Sequence, residues 1–152
     1  MKKLLAYFLL LVLTSMANAI PNVWKSENNH GGYDIKISNQ QGDTLELGCY
    51  LGEYPMWHNL TIETKGKKYE LRKTDTEHPL SFFINNDSAY TPTLRAKTNT
   101  DISAWNTFIS VLPTAKKIEV YYRNQHFFTL NPRNGESELQ YINDCTIERF
   151  ND

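Results

Sequence analysis

The sequence lacks the motifs that identify an enzyme. It contains no G-x-S-x-G, H-E-x-x-H or S-x-x-K pattern and no glycine-rich phosphate loop. It also lacks a pair of closely spaced metal ligands, because its four histidines are widely separated. These histidines are His30, His58, His78 and His126. We therefore expect no catalytic centre, no metal site and no cofactor.

An excess of charge of one sign is also absent. The chain has 16 lysines and arginines against 17 aspartates and glutamates, a formal net charge of −1. A surface that grips nucleic acid or an anionic membrane needs a strong positive field. This balance excludes both partners.

Long apolar runs are absent except for one near the start, LLAYFLLLVL at residues 4–13. A membrane-spanning helix needs about 20 apolar residues, so this run is too short. Lys2 and Lys3 precede it, and Ala17-Asn18-Ala19 gives the small-x-small pattern of a cleavage site. We expect residues 1–19 to be a secretory signal peptide and residues 20–152 a single domain in the bacterial periplasm. The alternative is an uncleaved anchor.

Cysteine is scarce, with only Cys49 and Cys145. Two lone cysteines in an oxidising compartment usually form a disulfide, and no C-x-x-C pattern favours a reactive thiol or a metal ligand instead. The bond would close a loop of roughly 100 residues, for which the chain-entropy model gives about 4–5 kcal/mol of stabilisation as an upper figure. We expect it to join an early strand to the far end of the chain.

Apolar residues that alternate with polar ones are the main pattern in the rest of the sequence. Runs of period two begin at Tyr33, Leu45, Leu60, Tyr69 and Leu80, and two further strand patterns lie at residues 117–122 and 126–130. Polar turns separate these runs, and Lys65-Gly66 offers a tight hairpin. The pattern predicts a mainly β domain, an antiparallel β-sandwich or strongly bent sheet of about seven strands.

The spacing of apolar residues changes from two to three and four in one segment, near the middle of the second half of the chain. Apolar residues recur at spacings of three and four at Ile102, Trp105, Ile109 and Leu112. This spacing predicts an amphipathic helix over about 101–112, capped by Thr100 or Asp101, with Trp105 in the core. A three-residue spacing of Leu139, Ile142 and Cys145 predicts a short C-terminal helix that points the second cysteine inward.

Two polar segments hold chemically active residues. TDTEHPLS, residues 74–81, groups acids, a histidine and a serine, but the partners of a catalytic triad normally come from different elements. We interpret it as a loop. NNDSAYTPT, residues 85–93, is rich in turn formers, and its Tyr90 is a candidate for recognition.

A cluster of large residues follows the first cysteine, in GEYPMWHN at residues 52–59. Gly52 and Pro55 predict a loop. The candidate binding residues in it are Tyr54, Met56, Trp57 and His58. Tyrosine, tryptophan and methionine are enriched at protein interfaces, so the loop is a candidate docking site for a protein partner. Alternatively, these side chains fold back and cap the open end of the sandwich.

The chain resembles small periplasmic domains of secretion and invasion systems. The residues that carry the resemblance are Trp24, L-x-L-G-C at 45–49, W-x-x-F-x-x-x-L running into A-x-x-I-x-V at 105–120, and the late cysteine. The families concerned are the type VI secretion accessory proteins with a C-terminal cysteine and the invasion-associated locus B family. The resemblance implies an envelope accessory role and supplies no catalytic residues.

Together these patterns predict a non-catalytic, protein-binding periplasmic domain. We expect an immunity or inhibitor protein against an envelope-acting enzyme or toxin. The alternative is an accessory component of a secretion or conjugation machine. A small-ligand binder that uses the space between the sheets and a cell-wall enzyme are the remaining classes.

Overall fold

The computed structural model describes residues 20–29, 31–50, 58–72, 77, 79–95 and 97–147. Within these residues the strands, in chain order, are β1 (Lys25–Asn29), β2 (Gly32–Ser38), β3 (Thr44–Tyr50), β4 (His58–Thr64), β5 (Lys67–Leu71), β6 (Leu80–Ile84), β7 (Ser88–Tyr90), β8 (Ile118–Tyr122) and β9 (Gln125–Leu130). The helices are α1 (Asn99–Val111) and α2 (Gly135–Glu138), with 3-10 turns at Leu112–Thr114 and Ile142–Cys145.

The strands form two antiparallel sheets. The first has five strands in the order β1-β2-β3-β4-β5, and the second has four in the order β7-β6-β8-β9. Their buried side chains belong to one hydrophobic core. This confirms the predicted mainly β, antiparallel fold, for which the sequence left open a sandwich or a strongly bent sheet, although the described residues hold nine strands rather than about seven.

The two additional strands are polar edge strands. Strand β1 (KSENN) pairs with β2 from Lys25↔Lys36 to Asn29↔Gly32, and β7 (SAY) pairs with β6. Backbone hydrogen bonds to one neighbour hold such strands, so their side chains need not alternate between core and solvent. For this reason the apolar pattern of the sequence does not indicate either strand.

The hairpin turns follow from local backbone chemistry. Lys65 and Gly66 both have positive φ (50° and 71°), which confirms the predicted hairpin between β4 and β5. Arg123 and Asn124 also have positive φ (49° and 65°), and they form the turn between β8 and β9. Two consecutive residues of positive φ match the right-handed twist of the flanking strands.

Helix α1 covers the core beside the disulfide. Its N-cap is Thr98, whose hydroxyl accepts from the Asp101 amide, while the Asp101 carboxylate accepts from the Thr98 amide. Thr100 and Asp101, the two residues predicted as the cap, therefore lie within the first turn of α1, after the N-cap. Trp105 is buried as predicted, and Phe108, which the sequence interpretation left out, is buried beside it.

The predicted disulfide between Cys49 and Cys145 is present, and both residues are buried. The predicted closing helix is divided into α2 and the 3-10 turn Ile142–Cys145. Leu139, Ile142 and Cys145 nevertheless all lie buried, so the inward direction of this segment is confirmed. Among the described helices none is long and apolar enough to cross a membrane.

Candidate functional site

The aromatic loop predicted as a docking site is only partly described. Tyr54, Met56 and Trp57 lie outside the described residues. His58 is the first residue of β4, not a loop residue, and it is 6% exposed. Its ring stacks on Trp105, with ring centroids 5.5 Å apart and planes 11° apart. The placement of His58 in a turn was wrong, and a buried ring of this kind supports the core rather than a docking surface.

Tyr90 lies where the four-stranded sheet meets helix α1. It ends β7, is partly buried, and packs against the core. It lines an open groove of about 500 Å³ between β7 and α1. The other polar residues of this groove, which we call the helix-side groove, are Thr91, Asn99, Thr100, Ser103 and Thr107. These side chains are uncharged hydrogen-bonding groups, so the groove suits small polar side chains or neutral ligands.

A second groove lies on the opposite face of the same sheet. It has a volume of about 290 Å³ and is lined by Ser81, Phe83, Ala89 and Tyr121, together with Phe82. We call it the outer groove. Phe83 and Tyr121 are partly buried but do not belong to the hydrophobic residues that pack against the core. Two aromatic side chains therefore lie on the outside of the sheet, where they offer apolar contact area.

Strand register brings the outer groove together. Ser81 pairs with Tyr121 between β6 and β8, and Phe83 pairs with Glu119 on one side and with Ala89 of β7 on the other. Paired residues of antiparallel strands project from the same face. The sequence interpretation missed this site, although Phe83 and Tyr121 each follow an inward-facing residue and so occupy outward positions. Aromatics at outward positions were the available signal.

Charged side chains beside the outer groove are already paired. The Lys117 ammonium lies 3.0 Å from a Glu119 carboxylate oxygen and donates to the Asn86 side-chain oxygen at 2.9 Å. On the adjacent strand β9, the His126 ring meets Tyr121 edge-on with ring centroids 5.3 Å apart, and its Nε2 lies 3.1 Å from the Thr129 hydroxyl. The outer groove consequently presents aromatic and small side chains with no uncompensated charge from these neighbours.

The perturbed tyrosines act as structural ties. Burial, followed by the hydrogen bond and the charge of Asp144, raises the pKa of Tyr33 to about 12. Its hydroxyl donates to Asp144 Oδ2 at 2.7 Å and so joins β2 to the C-terminal turn. A hydrogen bond to Asp34 is the main cause that raises the pKa of Tyr50, and burial adds to it. Both phenols stay protonated donors at neutral pH, so neither is prepared to act as a base.

The histidines do not converge in the described structure. His58 lies in the core on the first sheet, whereas His126 is exposed on the second, and His30 and His78 are outside the described residues. Of the residues TDTEHPLS, Glu77, Pro79, Leu80 and Ser81 are described, and Leu80 and Ser81 belong to β6. Within the described part of the chain, no group of three histidine, cysteine or acidic side chains is arranged to hold a metal ion.

Comparison with known proteins gives the chain a family. The model of the YfjT family matches residues 22–139. The chain belongs to the YfjT family. The uncharacterized protein YfjT of Escherichia coli (strain K12) is 23% identical over 137 residues, which cover 86% of this chain and 86% of that protein. No solved structure matches the chain. The residues matched to the YfjT family include β1 through β9 and both grooves.

Proposed function

We propose that this chain is a non-catalytic protein-binding domain of the bacterial cell envelope. The observation that carries the proposal is the outer groove, where Phe83 and Tyr121 lie on the face of the second sheet away from the core. Aromatic side chains offer large contact areas at low entropic cost and are enriched at the centres of protein interfaces. Small neighbours, Ser81 and Ala89, leave room for a partner side chain between them.

The scaffold under the groove supports the same proposal. Phe83 and Tyr121 project from β6 and β8, and the opposite faces of these strands hold the buried residues Phe82 and Val120. Side chains on paired strands lose less conformational freedom on binding than side chains on loops. A rigid aromatic surface of this kind favours recognition of a partner with a defined shape.

We assign the domain to the periplasm, reached through the signal peptide at residues 1–19, and its role to immunity or inhibition against an envelope-acting enzyme or toxin. The buried disulfide supports this location, because such bonds persist in oxidising compartments. The alternative role is an accessory of a secretion or conjugation machine. The resemblance to the type VI secretion accessory proteins and the invasion-associated locus B family stays a prediction.

Site-specific photo-crosslinking in cells tests the proposal. We would place p-benzoylphenylalanine at Tyr121, in the outer groove, and at Tyr141 as the matched control, because Tyr141 is an exposed tyrosine (65%) outside that groove. We expect a discrete protein adduct from position 121 that is absent from position 141 and weakened by Phe83→Ser. A toxin or lytic enzyme in the adduct supports immunity, and a secretion component supports the alternative. Identical adducts from both positions, or none from position 121, would refute the proposal.

A further inference from the structure

Strand β7 is an open edge between the two grooves. Among the described strands it is the last of its sheet and pairs only with β6. Ala89 at its centre is exposed, and it lines both the outer groove and the helix-side groove. The open edge of the sheet, the outer groove and the helix-side groove therefore meet at Ala89.

The main-chain groups of Ala89 point away from the sheet. The Ile84 carbonyl accepts from Asp87 N at 3.1 Å on the β7 side, while Asn85 N donates to the Lys117 carbonyl at 3.0 Å on the β8 side. In the pair Ile84↔Ser88 the main-chain groups of Ile84 are thus directed to β7. Since hydrogen-bonded and non-hydrogen-bonded pairs alternate along antiparallel strands, the next pair, Phe83↔Ala89, is not hydrogen-bonded. The Ala89 N–H and C=O are directed to the open edge.

From this arrangement we propose that β7 binds an extended segment of the partner protein by β-strand addition, an inference that rests on the proposed protein-binding function. An added strand takes its main-chain hydrogen bonds from the edge, and its successive side chains project to opposite faces. One set of alternate side chains enters the outer groove beside Phe83 and Tyr121. The other set enters the helix-side groove beside Tyr90.

The two grooves define the chemistry of the segment. The outer groove is aromatic and takes apolar side chains, whereas the helix-side groove is lined by hydroxyl and amide groups and takes small polar ones. Three charged groups near the grooves have partners within the chain: Lys117 pairs with Glu119, and the Asp101 carboxylate accepts from the Thr98 and Lys97 amides. Both grooves are lined by uncharged residues, so charge complementarity favours a segment that alternates uncharged polar and apolar residues.

Synthetic hexapeptides provide the probe. The alternating peptide acetyl-Thr-Val-Thr-Val-Thr-Val-amide is compared with acetyl-Thr-Thr-Thr-Val-Val-Val-amide, which has the same composition. Binding to the purified protein is followed by NMR at the Ala89 amide and the Tyr121 ring. We expect the alternating peptide to bind with slowed hydrogen exchange at Ala89 and the block peptide to bind at least about tenfold more weakly, because only alternation fills both grooves.

N-methylation tests the main-chain hydrogen bonds without changing the protein. In an antiparallel complex the residue opposite Ala89 shares its face, so the valine amides point to β7 and the threonine amides point away. Methylating the valine nitrogens should weaken binding about tenfold, the value of a lost hydrogen bond, and methylating the threonine nitrogens should not. A parallel complex gives the reverse. Equal effects of the two methylated peptides would overturn strand addition.

Variants of Ala89 supply an independent measurement. Ala89→Pro removes the outward N–H, which an edge strand tolerates, and should reduce binding of the alternating peptide, whereas Ala89→Ser keeps the N–H and should not. Unchanged binding of the alternating peptide by Ala89→Pro would overturn the inference. So would protection of the Ala89 amide from hydrogen exchange that rises with protein concentration alone, because it would indicate that a second copy of the chain covers this edge. If Ala89→Pro also leaves the adduct at position 121 intact, strand addition fails while the protein-binding function stands. Absence of that adduct from the unmodified chain rejects the function itself.

Discussion

Trp105 is the residue whose removal tests the core most directly. Its side chain is 0% exposed, stacks on His58, and contacts Phe108 with ring centroids 6.3 Å apart. Its indole Nε1 donates to the Cys145 carbonyl at 2.8 Å in a buried environment. Replacing the ring therefore opens a cavity and removes the partner of a buried carbonyl at the disulfide.

The magnitude follows from these two effects. Loss of a buried tryptophan side chain costs about 3–5 kcal/mol. An unsatisfied buried carbonyl costs about 1–3 kcal/mol, part of which the first figure already contains. We expect Trp105→Ala to lower the free energy of unfolding by about 4–6 kcal/mol, close to the whole stability of a small domain. Trp105→Phe keeps most of the ring and should cost about 2 kcal/mol.

The assay is urea unfolding followed by circular dichroism, because tryptophan fluorescence changes with the substitution itself. The matched control is Thr107→Ala, an exposed position of α1, which should change stability by less than about 0.5 kcal/mol. A loss below about 1 kcal/mol for Trp105→Ala would show that the contacts of this ring do not support the core.

Two further predictions concern the ties at the end of the chain. Cys49→Ala and Cys145→Ala should each lower the free energy of unfolding by about 2–5 kcal/mol, because each removes the same bond. Thiol titration of the unmodified protein, unfolded but not reduced, should find no free thiol. Unequal losses in the two variants, or titratable thiols in the unmodified protein, would contradict this prediction. Because the pKa of Tyr33 is raised from 10.0 to about 12 on folding, its contribution to stability is complete below about pH 10 and is lost as the pH rises through 12. Tyr33→Phe should therefore reduce the loss of stability at alkaline pH, measured by urea unfolding at a series of pH values. The control is Tyr141→Phe, which replaces an exposed tyrosine. Equal alkaline losses in both variants would contradict the hydrogen bond of Tyr33 to Asp144 as their cause.

The sequence predicts strands well where one face is buried. In β3, Leu45, Leu47 and Cys49 are fully buried, so the apolar period reports the sheet directly. Strands β1 and β7 carry no such period because they are held by backbone bonds at sheet edges. His58 shows the converse error: the neighbouring Pro55 suggests a loop, yet tertiary packing against Trp105 places the residue in a strand.

The grooves were harder to predict than the fold. Phe83 and Tyr121 meet only because β6 pairs with β8, and α1 lies between these strands in sequence. Alternation gives the face on which a side chain lies but not the neighbouring strand or its register. Tyr90 was identified from its polar surroundings, but the helix that completes its groove comes from a separate segment.

The two sheets differ in how their strand order relates to the chain, and this difference bears on the order of folding. Every pair in the first sheet joins consecutive strands, so this sheet can form one hairpin after another. In the second sheet, β6 must wait for β8, since the connection between them includes β7 and α1. Non-local pairing of this kind slows folding. We therefore expect the first sheet to form early, with Cys49 in place as a free thiol until the last segment arrives and Cys145 closes the bond.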